Sequence, residues 1–267
     1  MATKSRTRVR KIDYPESDGK PMAETPVHRN DMMDLISSLS YRYLNEANVY
    51  VSGNMMMYYV EGNPRKHVSP DVFVVFGIPK LPERRIYLVW QEGKGPDVAF
   101  EITSKSTRKE DTDFKKGLYQ DVLKVTEYFL FDPYAEYLDP PLQGLRLRRG
   151  RYHDIQPVKG RLPSELLGLH LERAGRQLRL YDPAADAWLP TTTENAEIAT
   201  RVKEFKQLVD TYRGHVEAFR EQAELQKQRA DLEAERRQRV ETDLSQLRQE
   251  FEDLRRRVGQ RNEKNGK

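Results

Sequence analysis

A glutamate set inside an apolar strand is the strongest constraint on what this chain can become. Residues 96–107 read Pro-Asp-Val-Ala-Phe-Glu-Ile-Thr-Ser-Lys-Ser-Thr. Side chains alternate along a strand, so Asp97, Ala99, Glu101 and Thr103 share one face and Val98, Phe100 and Ile102 the other. Burying an ionised carboxylate there is costly unless a positive group sits beside it. The strand therefore has to lie in a core that brings a cation to Glu101.

Two nearby segments supply candidates. Asp71, in Ser-Pro-Asp-Val-Phe-Val-Val-Phe, opens another strand upstream, and Lys115 and Lys116 follow on what reads as the next helix. If the two strands are neighbours, Asp71 and Glu101 converge on one Mg²⁺, a hard ion that takes oxygen ligands, with the backbone carbonyl of Ile102 as a further donor. One lysine then reaches the phosphate or the attacking water. Two carboxylates and an ammonium are what metal-assisted phosphodiester hydrolysis requires. Asp97 lies roughly 13 Å along the strand from Glu101 and reads as a structural or supporting group. Spacing alone leaves a second reading open, because Pro-Asp also opens turns and one acid in a strand can be a satisfied buried ion.

The surrounding pattern is α/β. An apolar stripe of Met32, Leu35, Ile36, Leu39 and Leu44 predicts a helix over about 31–45. Strands are expected at 49–60, 71–77 and 97–103, with a short one at 85–90. A helix over 109–123 leads to a strand at 126–131, and that helical crossover implies parallel pairing. From 141 to 192 short alternating segments predict a β-hairpin appendage. The domain reading is a flexible basic arm over 1–27 carrying Lys4, Arg6, Arg8, Arg10 and Lys11, a core domain with its appendage over 28–192, a coiled coil over 193–262, and a disordered tail over 263–267.

The coiled coil rests on a heptad seam. Ile198, Val202, Phe205, Val209, Tyr212, Val216 and Phe219 alternate spacings of four and three, and the phase returns at Val240, Leu244, Leu247, Phe251, Leu254 and Val258. Between them Ala223, Gln226, Ala230, Glu233 and Arg237 make a weak middle, where a break near 225–238 is expected. A helix this long needs a partner, and a homo-oligomer is the expected one.

Composition excludes other chemistries. The chain has no cysteine, hence no disulfide, thiolate nucleophile or cysteine-bound zinc. No apolar run approaches a membrane span, and the N-terminus lacks the apolar stretch of a signal peptide, so a cytoplasmic protein is expected. His28, His67, His153, His170 and His215 show no metal-ligand spacing and read as structural. No Gly-rich phosphate loop is present. The net charge of +4 permits a nucleic-acid partner.

Residues 58–133 resemble the Uma-type restriction-endonuclease family of the PD-(D/E)XK nuclease superfamily. The resemblance runs through Ser69-Pro70-Asp71-Val72, Pro96 to Ser104, Ser106-Thr107-Arg108, Asp111, Lys115, Tyr119 and Glu127 to Pro133. It implies a restriction endonuclease-like core, a mixed β-sheet flanked by helices, acting on DNA with Mg²⁺ or Mn²⁺. By the same resemblance Asp71 and Glu101 are the metal carboxylates, Lys115 is the catalytic lysine, and Glu46 is a further acidic ligand. The superfamily's Glu-x-Lys is not intact, because Thr103 stands in the lysine position. The alternative is a catalytically inactive scaffold or DNA-binding adaptor that oligomerises through the coiled coil.

Overall fold

The computed structural model describes residues 12–17, 19 and 25–264, with side chains through Arg255. The basic residues expected in the arm, Lys4 to Lys11, lie outside the described residues, as do 265–267 of the expected tail. The chain divides into two compact units, one running to Glu197 and the other starting at Ile198.

In the first unit, α1 (Pro26–Arg42) precedes β1 (Val49–Ser52), β2 (Met57–Tyr58), β3 (His67–Val68), β4 (Val72–Phe76) and β5 (Tyr87–Leu88). A single turn, α2 (Val89–Glu92), leads to β6 (Val98–Ile102). The crossover that follows is wound as a π-helix over Glu110–Lys115 and again over Tyr119–Leu123, with α3 (Lys116–Leu118) between. After it come β7 (Glu127–Phe131), β8 (Leu142–Arg148) and β9 (Arg151–Asp154). The appendage holds β10 (Leu162–Ser164), β11 (Leu169–Ala174), β12 (Gln177–Asp182) and β13 (Ala187–Trp188).

The main sheet is mixed, in the order β1-β4-β6-β7-β8-β9. β6 and β7 run parallel, as the crossover requires, and the other pairs run antiparallel. Alternation along β6 divides the core. Val98, Phe100 and Ile102 pack with Met32, Leu35 and Leu39 of α1 and with appendage leucines such as Leu171 and Leu180. Ala99, on the opposite face, joins Leu118, Tyr119 and Leu123 of the crossover. Glu101 shares that second face. The architecture is thus mixed sheets flanked by helices, with a β-hairpin appendage. Glu127, fully buried, ties the two sheets together by accepting hydrogen bonds from Arg146 and Ser164.

Three expectations change in the first unit. The first helix begins at Pro26 and ends at Arg42, because Thr25 caps it by accepting from the His28 N–H and proline suits the first helical turn. The strand expected over 49–60 is two strands in different sheets. Between them a Cβ on Gly53 would lie 2.1 Å from the Asp71 carbonyl, and Asn54 adopts a positive φ of 50°. Part of the expected arm is also docked: Tyr58 donates to the Pro15 carbonyl at 2.5 Å, and Tyr14 accepts from the Gly62 N–H at 2.7 Å.

The second unit belongs to α4 (Thr192–Lys264), a single helix of 73 residues, about 110 Å long. It passes unbroken through 225–238, since Ala, Glu, Gln, Lys, Arg and Leu all favour helix whether or not the seam is apolar. No helix among the described residues is long and apolar enough to cross a membrane.

Candidate active site

The antiparallel pairing of β4 with β6 sets Val72 opposite Phe100, so Asp71 and Glu101 fall opposite one another one residue further along. The two carboxylates are cross-strand neighbours on the face toward the crossover. Ile102 donates its N–H to Asp71 Oδ2 at 2.7 Å. In a strand the C=O of a residue points to the same side as its N–H, which puts the Ile102 carbonyl on the β4 side of β6.

Glu101 is 1% exposed and both its oxygens are engaged. Lys115 Nζ lies 2.7 Å from Oε2, and the Tyr119 hydroxyl donates to Oε1 at 2.6 Å. Lys115 also reaches Asp111 Oδ1 at 3.2 Å. Asp111, Lys115 and Tyr119 stand four residues apart, which puts them in one stripe on the crossover. Tyr128 on β7 fixes that segment by donating to the Asp111 carbonyl. The buried cation demanded by Glu101 is thus Lys115; Lys116 is exposed.

Charge in this cluster is unbalanced. Burial pushes Glu101 well above the usual carboxylate range, against the pull of the Lys115 ammonium. Burial likewise raises Asp111, again opposed by Lys115. Burial would lower Lys115, but Glu101, Asp111 and Asp71 together hold it above its ordinary value. Asp71 goes the other way: burial raises it, but the His28 hydrogen bond, the Lys115 charge and the Ile102 N–H together hold it below the ordinary value. Three acidic side chains thus surround one ammonium, and the His28 imidazole stands on the far side of Asp71.

A cavity of about 290 Å³ opens beside this cluster. Asp71, Ile102, Thr103, His28, Lys105 and Thr107 line it. Glu101 and Lys115 stand behind that lining. Thr103 Oγ1 is buried and, among the described residues, has no hydrogen-bond partner.

His28 is the residue the sequence reading missed. It sits in the first turn of α1, is 7% exposed, and places Nε2 3.4 Å from Asp71 Oδ2. Only the Thr25-Pro26 helix start hinted at it, because no second ligand is spaced from it along the chain. Glu46 is exposed beyond the C-terminal end of α1, whereas the N-terminal end of that helix meets Asp71. Asp97 serves the far end of the strand pair, accepting from the Phe76 N–H and pairing with Lys94. His67 contacts the Pro64 carbonyl and lies outside the cavity lining.

Among the described residues no group of three or more His, Cys, Asp or Glu side chains is arranged to hold a metal ion. The donors around Asp71 are nevertheless hard oxygens: its carboxylate, the Glu101 carboxylate and the Ile102 carbonyl. Mg²⁺ is commonly held by one or two carboxylates and keeps several waters, so this set of oxygen donors fits such an ion.

Comparison with known proteins places the chain. No curated protein matches it. Among solved structures, a "putative nuclease belonging to DUF820" from Anabaena variabilis ATCC 29413 is 17% identical, covering 59% of this chain and 83% of its own, with a TM-score of 0.41. The family model Uma2, described as "Putative restriction endonuclease", matches residues 7–205. That match takes in the whole main sheet, the appendage and the Asp71–Glu101 site, and the chain accordingly belongs to the Uma2 family.

Proposed function

We propose that this protein is a metal-dependent endonuclease that hydrolyses phosphodiester bonds in DNA at the Asp71–Glu101 site. The observation that carries the reading is the register of β4 and β6, which sets two carboxylates side by side next to an open cavity, with an ammonium hydrogen-bonded to one of them. Asp71, Glu101 and the Ile102 carbonyl would hold Mg²⁺ or Mn²⁺. When bound, that ion supplies Lewis-acid polarisation of a phosphoryl oxygen and a water of lowered pKa.

The chain's own residues do the rest. Lys115 and Tyr119 hold the two Glu101 oxygens in one orientation, and Lys115 adds positive potential behind the carboxylate. His28 and the Ile102 N–H orient Asp71. Ser104, Lys105 and Thr107 line the cavity, where such polar side chains suit a backbone phosphate. Lys115 is a positioning residue in this scheme, since its ammonium is taken up by Glu101 and Asp111.

The rival reading is a nuclease fold kept for binding, and Thr103 in the customary lysine position favours it. The ammonium that Lys115 brings to Glu101 supports the enzyme instead. Incubating supercoiled and single-stranded DNA with the protein in Mg²⁺ or Mn²⁺, against an EDTA control, separates the two. The nuclease predicts cleavage that chelation abolishes. Intact DNA across several substrates, with both ions, supports the scaffold.

A further inference from the structure

We propose that residues 236–255 of α4 form a parallel, in-register two-stranded coiled coil with a second copy of this chain. The apolar seam of this stretch is bare: Val240, Leu244, Leu247, Phe251 and Leu254 are each at least half exposed. An apolar stripe at this spacing on a long helix calls for a partner helix. The flanking charges say which one.

With Leu244 and Phe251 at heptad position a and Val240, Leu247 and Leu254 at d, the g positions are Arg236, Asp243 and Glu250, and the e positions are Glu241, Arg248 and Arg255. In a parallel pair in register, each g side chain faces the e side chain five residues on in the partner helix. Arg236 then meets Glu241, Asp243 meets Arg248, and Glu250 meets Arg255, each twice by symmetry. All three pairs are opposite in sign, although the acidic partner switches from e to g after the first. Such e–g pairs set partner and orientation. Arg237 occupies an a position, where a two-stranded coil lets a long charged side chain reach solvent.

The proximal seam does not share this property. There g and e hold Arg201 with Lys206, Leu208 with Arg213, His215 with Arg220, and Gln222 with Lys227. None of these pairs is opposite in sign, so self-recognition is confined to the distal segment. The inference stands apart from the nuclease reading, since it uses no residue of the first unit.

Because the chain has no cysteine, single cysteines test it on the whole 267-residue chain. Val240→Cys and Leu254→Cys are made separately and oxidised mildly. A disulfide needs Cα atoms about 4.4–6.8 Å apart. A parallel pair in register brings both positions to their own counterparts, whereas an antiparallel pair has only one crossing point. The expected result is covalent dimer from both variants. Sedimentation equilibrium is expected to give a dimer, weakened about tenfold by Glu250→Arg and restored by Glu250→Arg with Arg255→Glu. A monomer, a trimer, cross-linking at one position alone, or no rescue by the charge swap overturns the proposal.

Discussion

Replacing Asp31 with asparagine is expected to change the pH dependence of stability. Asp31 lies on α1, one turn beyond His28, is 2% exposed and accepts from the Leu178 N–H of β12 at 3.2 Å. Its second oxygen has no hydrogen-bond partner among the described residues. Burial, only partly offset by that N–H, lifts its pKa from 3.8 to about 7. The folded protein therefore binds a proton that the unfolded chain has released between these two values. Stability falls as pH rises through that window, and the full cost of ionisation is in place above pH 7. Evaluated at pH 5 and pH 8, the linkage relation gives a loss of about 2.6 kcal/mol from this group. Asparagine cannot ionise, but leaves an amide N–H without a partner, for a pH-independent cost of about 1–2 kcal/mol. The variant should be the less stable protein at pH 5 and at least equal to wild type at pH 8. Urea unfolding of both proteins at pH 5, 6, 7 and 8 measures the difference, and subtraction removes groups common to both. Both tryptophans, Trp90 and Trp188, lie in the first unit, so their fluorescence reports that unit alone. Parallel stability curves would refute the assignment of a proton to Asp31.

Three further substitutions probe the site's construction. Lys115→Met leaves Glu101 and Asp111 without their ammonium, and should cost about 3–5 kcal/mol in metal-free urea unfolding; a loss under 1 kcal/mol would mean that the pair is dispensable. Tyr119→Phe removes one donor to Glu101 and should cost about 1.5–3 kcal/mol by the same assay, while thermal unfolding stays cooperative. Gly53→Ala drives a methyl against the Asp71 carbonyl and should destabilise by about 3 kcal/mol, with cleavage falling alongside. Wild-type stability in that variant would show that the β1–β2 junction yields freely.

Much of this architecture is legible from side-chain chemistry alone. Glu101 announces itself because a charge in an apolar strand must be compensated, and the compensating lysine arrives on the crossover after that strand. The parallel pairing of β6 with β7 follows from the same crossover. Other elements are hidden for physical reasons. Thr25-Pro26 looks like the end of a proline-rich arm unless it is read as a cap followed by a first-turn proline. His28 gains its place only through tertiary contact with Asp71. Gly53 breaks a continuous strand pattern because another segment's backbone lies against it, which no local pattern records. The π winding of the crossover is equally silent, since residues four apart share a face in either helix. In α4 the weak seam suggests a break, yet helix propensity does not depend on which faces are apolar.

Whether the Asp71–Glu101 pair is a nuclease centre is decided by single-turnover nicking of supercoiled DNA in Mg²⁺ by wild type and Glu101→Gln. With the variant shown to unfold cooperatively like wild type, the expected loss in rate is about 100-fold or more. Equal nicking by both proteins would place the activity elsewhere and refute the assignment.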